Sequence, residues 1–285
     1  MSGPPTPAGL DAALEGALTI AAEAGRILLE GFGASAAAPL LGRRQAFAEK
    51  GTDIDLVTEF DRRAEAHIIA RLGALFPGDT VLAEEGGGSA APGGAGGRWL
   101  IDPIDGTTNF SHGLPLFCVS MGRERGGRIE LGVVHAPALG LTFAARRGGG
   151  ARCNGAPISV STTATLGRAL CATGFPYDRH TTYENNFEQF VAFQRRAQGV
   201  RRLGSAALDL CFVAAGTYDA YWEMKLKPWD MAAGTLLVEE AGGRVSGWRG
   251  EPLSPDGSAA VASNGVLHAA MLEVLALLPL PAAAR

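Results

Sequence analysis

Cysteine is scarce in this chain: its 285 residues carry four, Cys118, Cys153, Cys171 and Cys211. None forms a C-x-x-C pair, and all lie in apolar or glycine-containing surroundings. That excludes a disulfide framework and a thiolate metal site, and leaves reduced, buried thiols in a cytoplasmic protein as the expectation. Histidine contributes little. There is no H-E-x-x-H, and His67 has no second ligand one helical turn away, so it is read as structural. An excess of one charge is missing too. The net charge of −4 gives no general reason to bind nucleic acid or an anionic membrane. No run reaches the ~20 apolar residues that span a bilayer, and Met1–Pro7 has no basic region leading into an apolar core, so neither leader nor anchor is expected. What is present is globular: 47% hydrophobic and 19% charged residues, in a length that suits two ordinary domains or one large one.

Apolar spacing and turn residues mark the elements. Residues 1–8 are proline-rich and expected to be disordered. Asp11 to Phe32 spaces Leu14, Leu18, Ala21, Ile27 and Leu28 along one helix face, with Asp11 as N-cap and Gly31 as stop. A second helix is expected over 59–75, capped by Thr58 with Asp61 as capping-box partner. Thr80–Ala83 reads as a strand ending on Glu84-Glu85, and 86–97 as a glycine-rich loop too irregular for a phosphate-binding fingerprint. Strands at 116–121, 127–137 and 141–146 are joined as hairpins, and Asn154-Gly155 is a turn. Beyond it the elements alternate: strand 168–173, helices 182–197 and 205–215, strand 217–222, helix 231–240, strands 244–247 and 259–262, helix 265–277. Hairpins followed by alternation predict an α+β unit over residues 9–155 and an α/β unit over 156–285.

The densest chemistry lies in W-L-I-D-P-I-D-G-T-T-N-F, Trp99 to Phe110. An apolar run delivers Asp102. Pro103, with no N–H for a ladder, is expected to stop the strand. Asp105 follows across a proline-fixed turn, and two carboxylates that converge there repel unless a cation lies between them. Gly106 lets the backbone come close to a ligand, while Thr107 and Thr108 can cap a helix and point N–H groups at an anion. Carboxylates for a cation beside amides for an anion predict a metal-assisted phosphate site. Glu84, Glu85, Asp102, Asp105 and Asp230 each end an apolar strand or open a helix, as do Asp55, Asp61 and Glu223. Singly, each also reads as a surface or capping acid. Donors that are all oxygen suit Mg²⁺ or Mn²⁺ rather than Zn²⁺.

The ordered set is D-L-V-T-x-x-D from Asp55 to Asp61, then Glu84-Glu85, then Trp99 to Phe110, then Trp222-Glu223, then W-D-x-A-A-G-x-x-L-V-x-E-A-G-G from Trp229 to Gly243. It resembles the inositol monophosphatase family of magnesium-dependent, lithium-sensitive phosphatases, from about residue 10 to 280. The resemblance implies a layered α/β/α/β/α sandwich, a homodimer, and two to three Mg²⁺ per site. It puts one ion on Glu84, Asp102 and the Ile104 carbonyl, a second on Asp102, Asp105 and Asp230, and a weaker third on Glu84. Phosphate would lie against Gly106, Thr107 and Thr108. Thr107 and Glu84 would orient and deprotonate the attacking water, with Asp61 hydrogen-bonded to the Thr107 hydroxyl. Lys50 matches a lysine near the third ion; its alternative is an exposed loop lysine. Glu223, Arg202 and Ser205 match substrate-contacting positions, and Arg201-Arg202-Leu203-Gly204-Ser205 is of the bacterial type. The implied activity is hydrolysis of inositol monophosphate or similar small polyol phosphates, without a phosphoenzyme. Histidinol phosphate, fructose 1,6-bisphosphate and 3′-phosphoadenosine 5′-phosphate are alternatives within the same chemistry, and the charge of Glu223 weighs against a second phosphate. An accessory role in transcription or ribosome assembly is the alternative of another class, which no basic patch supports.

Overall fold

The structure is a computed structural model and describes residues 7–40, 53–86, 88–89, 96–254 and 258–277. Helices α1 (Pro7–Leu40) and α2 (Asp53–Leu75) come first. Strands β1 (Thr80–Ala83), β2 (Gly88–Ser89) and β3 (Arg98–Asp105) lead into the short helix α3 (Thr107–Ser111). Then follow β4 (Cys118–Arg125), β5 (Arg128–Ala136), β6 (Leu141–Arg146), β7 (Ala151–Cys153) and β8 (Ala156–Pro157). The second half runs β9 (Leu170–Thr173), α4 (Phe187–Gln194), β10 (Gly199–Arg201), α5 (Ala206–Ala214) and β11 (Ala220–Leu226). It ends with α6 (Pro228–Glu240), β12 (Arg244–Ser246), β13 (Ser258–Ser263) and α7 (His268–Ala276).

These elements stack as α/β/α/β/α. The first sheet has the order β2-β1-β3-β4-β5-β6-β7-β8, antiparallel except for the β1–β3 pair. Helices α1 and α2 cover one face, and α5 and α6 fill the space between it and the second sheet, β10-β9-β11-β13-β12. Helices α4 and α7 close the far side. A sheet covered on both faces needs continuous apolar strands rather than alternating ones. That is why Trp99, Leu100 and Ile101 are all fully buried. The core follows the layers. Ile20, Leu28, Ile68 and Leu72 meet Trp99, Ile101, Met121 and Val133 on the α1/α2 side. Val134, Phe143, Leu210, Leu236, Leu237 and Tyr221 fill the middle. Phe193 stacks on Trp222 at 3.9 Å between centroids on the far side. No helix among the described residues is long and apolar enough to cross a membrane.

Several expectations need correction. Helix α1 runs through Gly31, where an added Cβ would fall 2.5 Å from the Phe60 ring; this glycine admits a neighbour and ends nothing. Pro7 and Ala8 belong to α1, and the other residues expected to be disordered lie outside the described ones. Helix α2 starts at Asp53, so Thr58 is inside it and Asp61 is no capping-box residue. The helix expected over 182–197 is only Phe187–Gln194, because Asn186 takes a left-handed φ of 69° ahead of it. Strand β3 passes through Pro103 to Asp105. Most of the loop expected at 86–97, and Lys50, fall outside the described residues.

Candidate active site

A bulge in β3 builds the centre. In a regular strand Asp102 and Asp105, three residues apart, would face opposite sides. Between these pairings β3 advances three residues, from Asp102 to Asp105, while β4 advances two, from Ser120 to Cys118. The extra residue turns both carboxylates into one cleft, which they line together. Pro103 sits where the ladder is interrupted, a place that needs no N–H from it. Strand β1 runs parallel to β3, and the Glu84 N–H extends the pairing to the Ile101 carbonyl at 3.3 Å, setting Glu84 beside Asp102.

Asp230 arrives on α6 as its third residue, with Oδ2 accepting the Lys227 N–H at 2.7 Å. The helix lies close to the first sheet because Gly122 and Gly132 leave room. A Cβ on either would fall 2.6 Å from the Ala232 Cβ or 2.8 Å from the Ala233 carbonyl oxygen. The small residues of the W-D-x-A-A-G run are therefore the face by which Asp230 is brought in. Asp105 is held from a third direction. Ser205 Oγ donates to its Oδ2 at 2.8 Å, the Ala207 N–H to the same oxygen at 2.6 Å, and the Ala206 N–H to Oδ1 at 3.2 Å. These are the free donors at the start of α5, where a carboxylate is favoured.

The turn after β3 lines the cleft as well. Gly106 precedes α3 with φ 100°, and both Gly106 and Thr107 line the cleft. Thr108 is exposed and does not line it. The Thr107 hydroxyl donates to the Ile104 carbonyl at 3.0 Å. The expected bond to Asp61 is not made, because Ile104 lies in the same turn and reaches the hydroxyl first. Asp61 is buried, and its Oδ1 has no partner. Glu85 stays outside the cleft, and its N–H donates to Glu65 Oε2 at 3.0 Å.

No basic side chain pairs with Glu84, Asp102, Asp105 or Asp230 among the described residues. Burial above all pushes Asp102 well above the usual carboxylate range, and the charges of Glu84, Asp105, Asp230 and Asp61 add to it. Burial likewise raises Asp230 to about 8, with Asp105 and Glu84 contributing. Asp61 also stands at about 8, through burial and then Glu85 and Glu84. Asp105 rises only to about 6, since the donors of Ser205, Ala207 and Ala206 oppose its burial. Glu84 stands at the exposed rim, yet loss of water around its carboxyl raises it too. Among the described residues no three of His, Cys, Asp or Glu close on one point as a finished ligand shell. The donor chemistry nevertheless fits a hard divalent cation: several carboxylates with no basic partner among the described residues, all raised by burial, and Glu84, Asp102 and Asp230 also by neighbouring carboxylate charge.

The cleft, about 320 Å³, also takes in Ile104, Ser205, Arg202 and Glu223. The structure thus brings together Glu84, Asp102, Ile104, Asp105, Gly106, Thr107, Arg202, Ser205, Glu223 and Asp230. Missed by the sequence reading are the amides of Ala206 and Ala207, and Asn109. The Asn109 Nδ2 donates to the Leu116 and Leu203 carbonyls at 2.7 and 2.8 Å and so ties α3 to the approach to α5. A Gly-Ser step before an apolar helix was the available signal for the amides.

The profile of the Inositol monophosphatase family matches residues 10–278. The chain belongs to the inositol monophosphatase family. It is a phosphatase of phosphate monoesters. An inositol-1-monophosphatase of Synechocystis is 45% identical over 240 residues, covering 84% of this chain and 83% of the relative. Nus factor SuhB of Pseudomonas aeruginosa is 45% identical, over 78% of this chain and 83% of its own. A fructose-1,6-bisphosphatase/inositol-1-monophosphatase of Thermotoga maritima is 40% identical, over 78% and 82%. Among solved structures, inositol monophosphatase from Anabaena superposes with a TM-score of 0.83 at 37% identity, over 95% of this chain and 97% of that one. The layered sandwich of this family member is that of its solved relatives.

Proposed function

We propose that this member is a Mg²⁺-dependent phosphomonoesterase acting on inositol monophosphate or a similar small polyol phosphate. The observation that carries the reading is the convergence of Glu84, Asp102, Asp105 and Asp230 on one cleft without a basic partner, beside the N–H groups of Gly106 and Thr107. The ions would be held by those four carboxylates and the Ile104 carbonyl, with Mn²⁺ a chemically equivalent occupant. A cation bound there supplies positive charge to the phosphoryl oxygens and lowers the pKa of a water.

The chain's own groups do the rest. Gly106 and Thr107 fix the phosphoryl group through backbone N–H donors, and the Ser205–Asp105 hydrogen bond keeps Asp105 from turning away. Glu84 and the Thr107 hydroxyl orient the attacking water, and Glu84 takes its proton. The water oxygen displaces the alkoxide in line as the P–O ester bond breaks, and the alkoxide takes a proton from a second water and leaves as the alcohol. Glu223 receives a hydroxyl of the leaving alcohol, and Arg202 borders the same pocket. A polyol is favoured over a bisphosphate because Glu223 would face the second phosphate. The same reading carries inhibition by millimolar Li⁺, a homodimer, and a cytoplasmic setting. The name Nus factor belongs to a relative; here the net charge of −4 and the retained carboxylates favour catalysis over a partner role on nucleic acid.

The test is phosphate release with and without Mg²⁺ over inositol 1-phosphate, histidinol phosphate, fructose 1,6-bisphosphate and 3′-phosphoadenosine 5′-phosphate. Release is expected with Mg²⁺ only and fastest on the first. Asp102→Asn is expected to abolish it; a near-wild-type rate in that variant would overturn the reading.

A further inference from the structure

Glu223 has one hydrogen-bond partner among the described residues, and it is not a cation. The Tyr221 hydroxyl donates to Glu223 Oε2 at 2.7 Å. The two residues lie two apart on β11 and therefore on the same side of the strand. The Tyr221 ring is fully buried, so its hydroxyl is fixed from below. From above, the carboxyl lies flat against Gly174, just past β9. A Cβ on Gly174 would fall 2.0 Å from Glu223 Oε1 and 2.1 Å from Oε2, so no other residue fits under it. We propose that Tyr221 is a specificity-determining positioning residue, holding one oxygen of Glu223 so that the other alone faces the leaving group. This rests on the polyol-phosphate reading of the cleft.

The consequence is chemical. Oε2 is committed to the phenol, which burial and the Glu223 and Asp209 charges keep protonated and donating. Oε1 is left as a single acceptor on the wall of the cleft. It rewards an alcohol carrying a hydroxyl or amino donor near the phosphorylated oxygen. An ester with no donor leaves Oε1 desolvated and unpaired, which is penalised more strongly than a poorer shape. Burial raises Glu223 to about 7, while the Tyr221 hydrogen bond and then Arg202 favour its ionised form; Arg202 makes no ion pair with it among the described residues, so the phenol is the carboxyl's one hydrogen-bonded hold.

The experiment compares kcat/KM for inositol 1-phosphate with that for p-nitrophenyl phosphate, with Mg²⁺ present, in wild type, Tyr221→Phe, Glu223→Gln and the double variant. Tyr221→Phe removes one oxygen from a buried ring and keeps its volume. The donor-to-donor-free ratio is expected to fall about tenfold, the size of one hydrogen bond to a charged group, with the change in KM rather than kcat. In the Glu223→Gln background, adding Tyr221→Phe is expected to change the ratio less than about twofold, because contacting residues couple. An equal loss on both esters, or a full effect in the Glu223→Gln background, overturns the proposal. Should Tyr221→Phe lose its fold by urea titration, Gly174→Ala reads the same ratio by pushing the carboxyl aside, and an unchanged ratio there overturns it as well. A wild type inactive on both esters overturns the phosphatase reading and this proposal with it; a wild type active on both, with a ratio indifferent to Tyr221, overturns this proposal alone.

Discussion

Gly106 joins the carboxylates of β3 to the start of α3 by a single backbone conformation. Its φ of 100° is outside the range an L side chain adopts readily, and a Cβ there would fall 2.7 Å from the Leu116 carbonyl oxygen. Gly106→Ala is expected to destabilise the protein by about 2 kcal/mol or more, read as a lowered urea midpoint. The same change displaces the Gly106 and Thr107 N–H groups. A misplacement on the order of 1 Å lowers the rate on the order of 100-fold, so kcat should fall even where the variant is fully folded. The carboxylates around it were legible in the sequence because each ends an apolar strand or opens a helix, and the structure gathers Glu84, Asp102, Asp105 and Asp230 into one cleft. The Tyr221 hydroxyl and the Asn109 amide were not, since what each bonds to depends on chain arriving from elsewhere.

Among the elements, α5 holds Asp105 by its first donors, and Ser205 is both its N-cap, accepting from the Leu208 N–H, and a donor to the carboxylate. Ser205→Ala is expected to cost about 1–2 kcal/mol and to raise the Mg²⁺ concentration needed for half-maximal rate several-fold, measured by metal titration of activity. An unchanged metal requirement would contradict the anchoring role. The strands were readable because their runs are short, apolar and bounded by glycine turns: Thr80–Ala83 and Leu141–Arg146 stand where the pattern put them. Two of the departures share one physical reason. Gly31 and the bulge at Pro103 are settled by what packs against them, Phe60 in one case and β4 in the other, and neither partner is adjacent in sequence. Main-chain donors such as those of Ala206 and Ala207 carry no residue-type signature at all.

For the molecule as a whole, His268 sets an acid limit on stability. It is fully buried between Ser246 and Ser263, at 2.9 and 3.0 Å, and burial, with Arg244, lowers it from 6.5 to about 4. The unfolded chain takes up a proton below pH 6.5 while the folded one refuses it until about 4. Its contribution is therefore intact above 6.5 and lost as pH falls toward 4. Between pH 7 and pH 5 that loss is about 2 kcal/mol, and His268→Gln is expected to remove that share of the slope in paired urea titrations. The hydrogen bonds from Ser205, Ala206 and Ala207 to Asp105 carry a different consequence. They span 100 to 102 residues of chain, and closing so long a loop is an entropic step that local helices and hairpins do not share. A chain emerging from the ribosome holds Asp102 and Asp105 long before α5 and Asp230 exist to complete them. Activity regained in refolding is therefore expected to follow the docking of α5 and α6 beside β3, and a product truncated before α5 carries Asp102 and Asp105 without the Ser205, Ala206 and Ala207 donors or Asp230.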